Sequence, residues 1–221
     1  MHLPKINQIG RSMVEMLGVL AIIGVLSVGG ISGYAKAMKK HKLNKHAESY
    51  NMLLSNALQI SGSINKAVSG GTQNDLYYNE FIHKAGLLPD GITYKKEAWN
   101  IASYTKNDQL TDIFGNKMSF YSRTSYGYSF GLFTGLANNE YSKDICFNII
   151  NIAREHASNI IMVLREDATN GGSINSNESK RLYSDCSQGT CFQNVTAAFI
   201  DNMCKINDKN TKNFYYFYIL W

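Results

Sequence analysis

A run of twenty consecutive uncharged residues near the N-terminus constrains this chain more than any other feature. The run occupies residues 16–35, has the sequence MLGVLAIIGVLSVGGISGYA, and is bounded by Glu15 and Lys36. As an α-helix it would be about 30 Å long, which is the thickness of the hydrocarbon core of a bilayer. The sequence therefore predicts a membrane-spanning helix over these residues.

A cleavable secretory signal is the alternative interpretation of the same run. Such signals have an apolar region of about 7–15 residues, which is shorter than this one. Residues 35–37, Ala-Lys-Ala, nevertheless resemble the small-x-small pattern at which signal peptidases cut. That interpretation predicts an ordinary secreted or signal-anchored binding protein.

Composition narrows the class of protein. With 221 residues, 44% apolar and 12% aromatic, the chain is long enough for one medium domain plus an added helix and is not disordered throughout. The net charge of +5 comes without a zinc-finger, helix-turn-helix or RNA-binding signature, so we expect no nucleic-acid binding. Catalytic motifs such as Gly-x-Ser-x-Gly and phosphate-binding loops are also missing from the sequence, so we expect neither an enzyme nor a cofactor.

Four cysteines lie in the last third of the chain: Cys146, Cys186, Cys191 and Cys204. An even number confined to one region is typical of two disulfides in a protein that leaves the cytosol. A four-cysteine zinc site is the alternative, and the spacing of Cys186 and Cys191 permits it. Zinc sites usually draw on two close pairs, whereas Cys146 and Cys204 stand alone, so we expect disulfides and no metal. Three pairings are possible.

Glu15 is unusual because a carboxylate at the edge of a membrane helix is costly to move into the hydrocarbon without a partner. In the simplest interpretation it lies among the lipid headgroups, where it also suits the N-terminal end of the helix dipole. In a second interpretation, processing supplies a cation. If the chain is cut between Gly10 and Arg11, the new α-amino group is mostly positive at pH 7 and Glu15 becomes the fifth residue. The amine of a neighbouring subunit could then pair with Glu15 and set the register of an assembly.

The segment Gly-Arg-Ser-Met-Val-Glu at residues 10–15, followed by the apolar run, resembles the N-terminal signature of type IV prepilins. That signature is a short polar leader ending in glycine, a cut directly after it, and glutamate at the fifth mature position. The chain departs from the signature at Arg11, where phenylalanine is commonest. The resemblance implies that a prepilin peptidase cuts after Gly10 and methylates Arg11, and that Glu15 is the carboxylate used in assembly.

The same resemblance implies a function in assembly. It implies that the chain is a structural subunit, held in the inner membrane as a precursor. An inner-membrane assembly platform would then extract the subunit, which would join copies of itself in an extracellular pilus on the cell surface. Such pili serve adhesion, motility or uptake. A minor pilin or a pseudopilin of type II secretion would carry the same helix and is the main alternative.

The charges on either side of the apolar run indicate an orientation opposite to the one that export requires. Five lysines follow the run, at positions 36, 39, 40, 42 and 45, whereas only Lys5 and Arg11 precede it. The positive-inside rule alone would keep the C-terminal part in the cytosol. The leader signature and the cysteines outweigh that rule here, because both indicate export.

The helix is expected to continue past the membrane to about residue 62. Apolar residues recur there at helical spacing: Tyr50, Leu53, Leu54, Ala57 and Leu58. We call the predicted helix, from the membrane segment to about residue 62, the spine helix. Its first half is apolar all round, and its second half is amphipathic. His41 and His46 are expected among the solvated lysines, and His156 is expected on the surface.

Glycines interrupt the apolar half of the predicted spine helix, among them Gly24, Gly29, Gly30 and Gly33. Each costs up to about 1 kcal/mol relative to alanine in a helix interior. Gly29 and Gly33 form a small-xxx-small pair that could allow close packing of helices. Alternatively, the glycines let the helix stretch or melt locally on assembly, which the resemblance favours because type IV pilin filaments show such melting.

The rest of the chain predicts a mixture of helices and strands. Helices are expected at 75–84, from Ser142 as a cap through Ala153, and near 195–203. Strands are expected at 117–122, 126–134, 160–164 and 214–220, with a turn at Pro89-Asp90-Gly91 and a loop at 168–180. This order indicates an α+β fold, in which the spine helix packs on a small antiparallel sheet with flanking helices.

The layout of the C-terminal half resembles the type IVb branch of the pilins, the group of the toxin-coregulated pilin. The shared order is a cysteine early in a helix after a strand pair, a buried strand, a helix ending in Met203-Cys204, and a last strand. By this resemblance Cys146 pairs with Cys204, and Cys186 with Cys191. The expected division is a leader at 1–10, a transmembrane half of the spine at 11–35, an amphipathic half at 36–62, and a head domain at 63–221.

Overall fold

The structure is a computed structural model, and it describes residues 13–68, 76–100, 105–123, 129–137, 139–168, 180–205 and 214–221. The chain divides into two compact units, Met1–Lys42 and Leu43–Trp221, and the boundary lies within helix α1. That helix, α1 (Met13–Val68), is a single element of 56 residues. It extends past the expected end near residue 62, because the segment 61–68 contains no proline that would stop it.

Helices α2 (Asn79–Lys84), α3 (Ser142–Glu155) and α4 (Ala197–Met203) belong to the second unit. The strands are β1 (Leu76–Tyr77), β2 (Thr93–Asn100), β3 (Thr105–Thr111), β4 (Lys117–Arg123), β5 (Ser129–Ala137), β6 (Met162–Ala168), β7 (Lys180–Tyr183) and β8 (Phe214–Leu220). They form one sheet in the order β2-β3-β4-β5-β8-β6-β7, and β1 pairs separately with β4. Every pairing of these strands is antiparallel.

The last strand of the chain lies inside the sheet. Strand β8 pairs with β5 on one side and β6 on the other, each over seven residue pairs. Its aromatic sequence suits a strand inside a sheet, because aromatic and β-branched side chains pack well on a pleated surface. The expected α+β fold with a long N-terminal helix and an antiparallel sheet is therefore confirmed.

One face of the sheet packs against the second half of α1 and against α3. The core there includes Tyr50, Leu53 and Leu54 from α1, all 0% exposed, together with Phe120 and Ile219 from the sheet. A second cluster lies on strand positions of opposite parity: Tyr121, Phe133, Met162, Leu164, Tyr218 and Leu220. Because successive strand residues point to opposite faces, the sheet is apolar on both.

The region before β2 differs from the prediction. A helix was expected from residue 75, but Leu76 and Tyr77 instead pair with β4, and α2 begins at Asn79. The buried Asn79 side chain explains this start. Its amide donates to Ser119 Oγ at 2.8 Å, and its carbonyl accepts from the backbone N–H of Phe120 at 2.7 Å. This fixes the chain to the edge of β4.

Other expected elements lie close to their predicted places. The strand pair β4–β5, the buried strand β6, the helices α3 and α4, and β8 are all present. The turn at residues 89–91 is also present, with Gly91 at a φ of 91°. Strands β2, β3 and β7 were not predicted. The expected loop at 168–180 falls mostly outside the described residues.

Candidate functional site

The first part of α1 is exposed along its whole length. Every residue from 13 to 38 is exposed, including large apolar side chains such as Leu26, which is 69% exposed. By length and composition, this is a helix that could cross a membrane, and it is the one such helix in the described part of the chain. A continuous apolar surface of this size needs lipid or other protein to cover it.

The structure places Glu15 in the first turn of α1, with an exposed side chain. A carboxylate in the first turn is favoured by the partial positive charge of the helix N-terminus. The predicted cleavage and methylation residues, Gly10 and Arg11, lie outside the described residues.

The glycines of the apolar segment are not required by any contact within the described chain. A Cβ atom built on Gly24, Gly29, Gly30 or Gly33 would meet nothing within 4 Å, and the same holds for Gly18. None of them has a positive φ that would demand glycine. The helix is nevertheless continuous through all of them. No contact within the described chain therefore explains why glycine occupies these positions.

Helix α1 becomes buried at His46, which is 1% exposed. Its Nε2 lies 2.9 Å from Oδ2 of Asp112, which is in the turn between β3 and β4. Oδ1 of Asp112 accepts two backbone N–H groups of that turn, from Phe114 and Asn116, both at 2.8 Å. The expectation that His46 is solvated was therefore wrong. His46 lies four residues before Tyr50, and this helical spacing could have indicated the buried face, but the lysines around His46 obscured that signal.

Further polar contacts fix the buried half of α1. Ser49 Oγ donates to the carbonyl of Asp90 at 2.6 Å. Tyr50 Oη lies 3.0 Å from Thr134 Oγ1 on β5, and burial raises the pKa of the Tyr50 hydroxyl. Together with the His46 pair, these contacts define what we call the seam, the set of buried polar contacts between α1 and the head.

His156 also contacts α1, although it was expected to be a surface residue. It follows the end of α3 and is half-buried, and its Nε2 lies 2.7 Å from Oδ1 of Asn51. The distance between these residues in the sequence is large, so only the fold could bring them together. The contact ties the end of α3 to the second half of α1.

The structure contains two disulfides, Cys146–Cys204 and Cys186–Cys191. The first joins α3 to the end of α4, with both cysteines buried. The second closes a short loop. Asp185, directly before this loop, accepts from the backbone N–H of Ser187 at 2.9 Å, and this bond lowers the pKa of the Asp185 carboxyl. Since each cysteine is bonded to another, the zinc alternative has no ligands.

A buried arginine that was not predicted from the sequence lies at the end of α4. Arg165 on β6 is 1% exposed, and its guanidinium donates to the carbonyl of Met203. A cation at this place suits the partial negative charge of a helix C-terminus.

At the start of α3, Ser142 was expected to cap the helix, but its hydroxyl instead donates to the carbonyl of Ala137 and joins β5 to the helix.

Comparison with known proteins gives one similarity of structure. No protein-family model matches the chain, and no curated protein matches it. The chain is similar to the crystal structure of a type IVb pilin from Salmonella typhi, at 14% sequence identity and a TM-score of 0.39. The match covers 79% of this chain and 97% of the pilin.

Proposed function

We propose that this chain is a structural subunit of a type IV pilus: a precursor that is cut after Gly10, anchored by the first half of α1, and assembled with copies of itself into a surface filament. The observation that carries the proposal is the contrast within α1. Residues 13–38 are exposed and almost wholly apolar, whereas the face that begins at His46 is buried in the head. Lipid would cover the exposed half before assembly, and the same half of neighbouring subunits would cover it afterwards.

The two disulfides support export of the head. Disulfides persist in oxidising compartments outside the cytosol. The Cys146–Cys204 bond joins residues 58 apart in the sequence, and so it constrains the unfolded chain over a long loop. A subunit exposed on the cell surface benefits from such a constraint. An inner-membrane platform and a prepilin peptidase complete the proposed set of partners, and the proposal assigns no catalytic role to the chain.

Glu15 is the proposed assembly carboxylate. Its position supports this, because it lies exposed in the first turn, directly before an apolar segment of bilayer length. After a cut behind Gly10, an α-amino group would lie at the N-terminus of every subunit. Pairing that amine with the Glu15 of a neighbour would offset the cost of holding either charge among apolar helices. The pair would fix the axial register between subunits.

The first experiment is a measurement of the N-terminal mass of the exported protein. A chain that begins at Arg11, with or without one added methyl group, is the expected result, and it would establish prepilin processing. A chain that begins near residue 38, or still at Met1, would contradict the proposal. It would indicate a secreted or signal-anchored protein instead.

The second experiment tests assembly with two glutamates of the same helix. Glu15→Ala should leave membrane insertion and cleavage intact while lowering the yield of sheared filaments. Glu48→Ala removes an exposed glutamate from the second half of α1 and should assemble normally. Normal filament yield from the Glu15 variant would sink the pairing of Glu15 with the neighbour's amine.

A further inference from the structure

The segment of α1 that follows the apolar run carries a concentrated positive charge. Lys36, Lys39, Lys40 and Lys42 lie within seven residues, and the first three occupy positions i, i+3 and i+4, which share one face of a helix. Lys36, Lys40 and Lys42 are exposed. We call these three exposed lysines the collar. The sequence has no aspartate or glutamate between residues 16 and 47, so no acid of this stretch of helix offsets their charge.

From this arrangement we infer that the collar is a docking surface for the headgroups of anionic phospholipids, in the leaflet on the head side of the membrane. The inference rests on the proposed function, because it requires that residues 16–35 span the bilayer. The collar combines three exposed charges of one sign with direct continuity to an apolar segment of bilayer length.

The dimensions place the collar at the right depth. If residues 16–35 fill a hydrocarbon core of about 30 Å, the headgroup layer extends about 5–7 Å beyond Ala35. At about 1.5 Å per residue this layer holds Lys36 and reaches Lys40. Lys42 lies a few ångströms further out, within the Debye length of about 8 Å at physiological ionic strength.

The direction of the side chains favours the same contact. In an α-helix the Cα–Cβ bonds tilt toward the N-terminus of the helix, which here is the direction of the apolar run. Lysine stems can lie along apolar surface while the ammonium group stays in the polar layer. The collar lysines can therefore reach back to phosphate groups at the membrane surface. Each lysine near an anionic surface strengthens binding by roughly fivefold.

The proposed orientation of the chain makes a cluster of lysines at this place unexpected, so the cluster needs a function. In an exported protein these lysines must cross the membrane, against the trend of the positive-inside rule. A solvated surface has no need of four lysines in that place, because any polar residue would serve. Contact with anionic headgroups on the far side gives the charge a use, since it would hold the subunit at a fixed depth before extraction.

The test uses the full chain reconstituted in phosphatidylcholine vesicles with a small amount of spin-labelled lipid. The ratio of association constants for phosphatidylglycerol and phosphatidylcholine measures the selectivity of the chain. We expect a ratio of about five or more for the natural chain, falling toward one at 1 M salt. In the variant K36Q/K40Q/K42Q we expect a ratio close to one. The variant K36R/K40R/K42R should restore the preference.

A matched control removes the same number of charges from the head. The variant K95Q/K96Q/K205Q changes three exposed lysines of the second unit and should keep the full lipid preference. Equal loss of preference in the control would overturn the inference, because net charge would then explain it. A ratio near one for the natural chain would also overturn it. So would a collar variant that loses filament yield but keeps its lipid preference, since the lysines would then contact a neighbouring subunit.

The failure of the proposed function can be told apart from the failure of this inference. Flotation of the natural chain with pure phosphatidylcholine vesicles at high salt measures insertion of the apolar segment alone. A chain that does not float overturns both proposals. A chain that floats without any headgroup preference overturns the collar and leaves the membrane anchor in place.

Discussion

The two halves of helix α1 share one backbone geometry and have opposite surroundings. Residues 13–38 are exposed on every side, whereas the second half carries a buried face of Tyr50, Leu53, Leu54 and Ala57. The glycines of the first half leave empty space around them, while Gly91, which closes the turn beside the second half, would place a Cβ atom 2.8 Å from Ile113 Cγ2. Within the described residues, contacts of the chain with itself explain the second half of α1 but not the first. The first half has a sequence suited to a surrounding that this chain alone does not supply.

The largest expected effect comes from the same leucine-to-alanine change made once in each half of α1. Leu53→Ala should lower the free energy of unfolding of the Leu43–Trp221 unit by about 2–5 kcal/mol, because it leaves a cavity at a side chain that is 0% exposed. Leu20→Ala, at a side chain that is 62% exposed, should change it by less than about 0.5 kcal/mol. Urea unfolding of the full chain in detergent, followed by near-UV circular dichroism, measures both. Similar losses from the two variants would contradict the division of α1.

Substitutions at two histidines test where the buried half of α1 begins. His46→Ala should cost about 1–3 kcal/mol, because the buried Asp112 carboxylate loses the His46 ring, although it keeps its backbone donors and the side-chain amide of Asn116. His41→Ala, five residues earlier on the same helix and exposed, should be nearly neutral. The same unfolding measurement applies. A neutral His46 variant would mean that the seam does not fix the helix on the head.

The sequence predicted the first half of α1 better than the seam, for a physical reason. A long apolar run and a helical period are local patterns, so they indicated a long helix with an apolar first half and the buried face of Tyr50 directly. The His46–Asp112 contact joins residues 66 positions apart, and no local pattern reports which polar side chain meets which. The lysines around His46 suggested water instead, and the prediction failed there.

The sheet shows the same limit. Strand β8 was predicted with its observed bounds because FYYFYIL is unbroken by turn residues and strongly favours a strand. Strands β2 and β3 were missed, since TYKKEAWN and TKNDQLT are largely polar. Strand β2 lies at the edge of the sheet, where lysines are common because they discourage pairing with other chains. Arg165 was missed because its place at the end of α4 depends on the tertiary fold.

Glycine-to-alanine substitutions in the head and in the first half of α1 are expected to change stability in opposite directions. Gly131→Ala in β5 should destabilise the head by about 2 kcal/mol, because its Cβ would lie 2.9 Å from the carbonyl oxygen of Ile219. Gly29→Ala in the first half of α1 should stabilise the local helix by up to about 1 kcal/mol, since nothing lies near it. Amide hydrogen exchange in detergent measures the second effect. Slower filament assembly of the Gly29 variant, despite a more stable helix, would support the interpretation that the glycines permit local melting.

The smallest expected effect concerns two tyrosines of α1. Tyr50→Phe should cost about 1 kcal/mol at neutral pH, because it removes the bond to Thr134 Oγ1 at 3.0 Å. Tyr34→Phe, at a side chain that is 68% exposed, should cost nothing measurable. Burial raises the pKa of Tyr50 in the folded chain, so the folded state keeps this proton at a pH where the unfolded chain, with a pKa of about 10, releases it.

The sign of the pH dependence follows from that difference. A group whose pKa is higher in the folded chain contributes stability below its unfolded pKa and loses that contribution as the pH rises above it. The natural chain should therefore lose stability above about pH 10 more steeply than the Tyr50→Phe variant, while the Tyr34→Phe variant should follow the natural chain. Unfolding free energies measured between pH 8 and pH 11, a range chosen to bracket that ordinary pKa of about 10, decide this. Parallel curves for all three proteins would mean that Tyr50 is accessible to water, and the second half of α1 would then be less firmly buried than its contacts indicate.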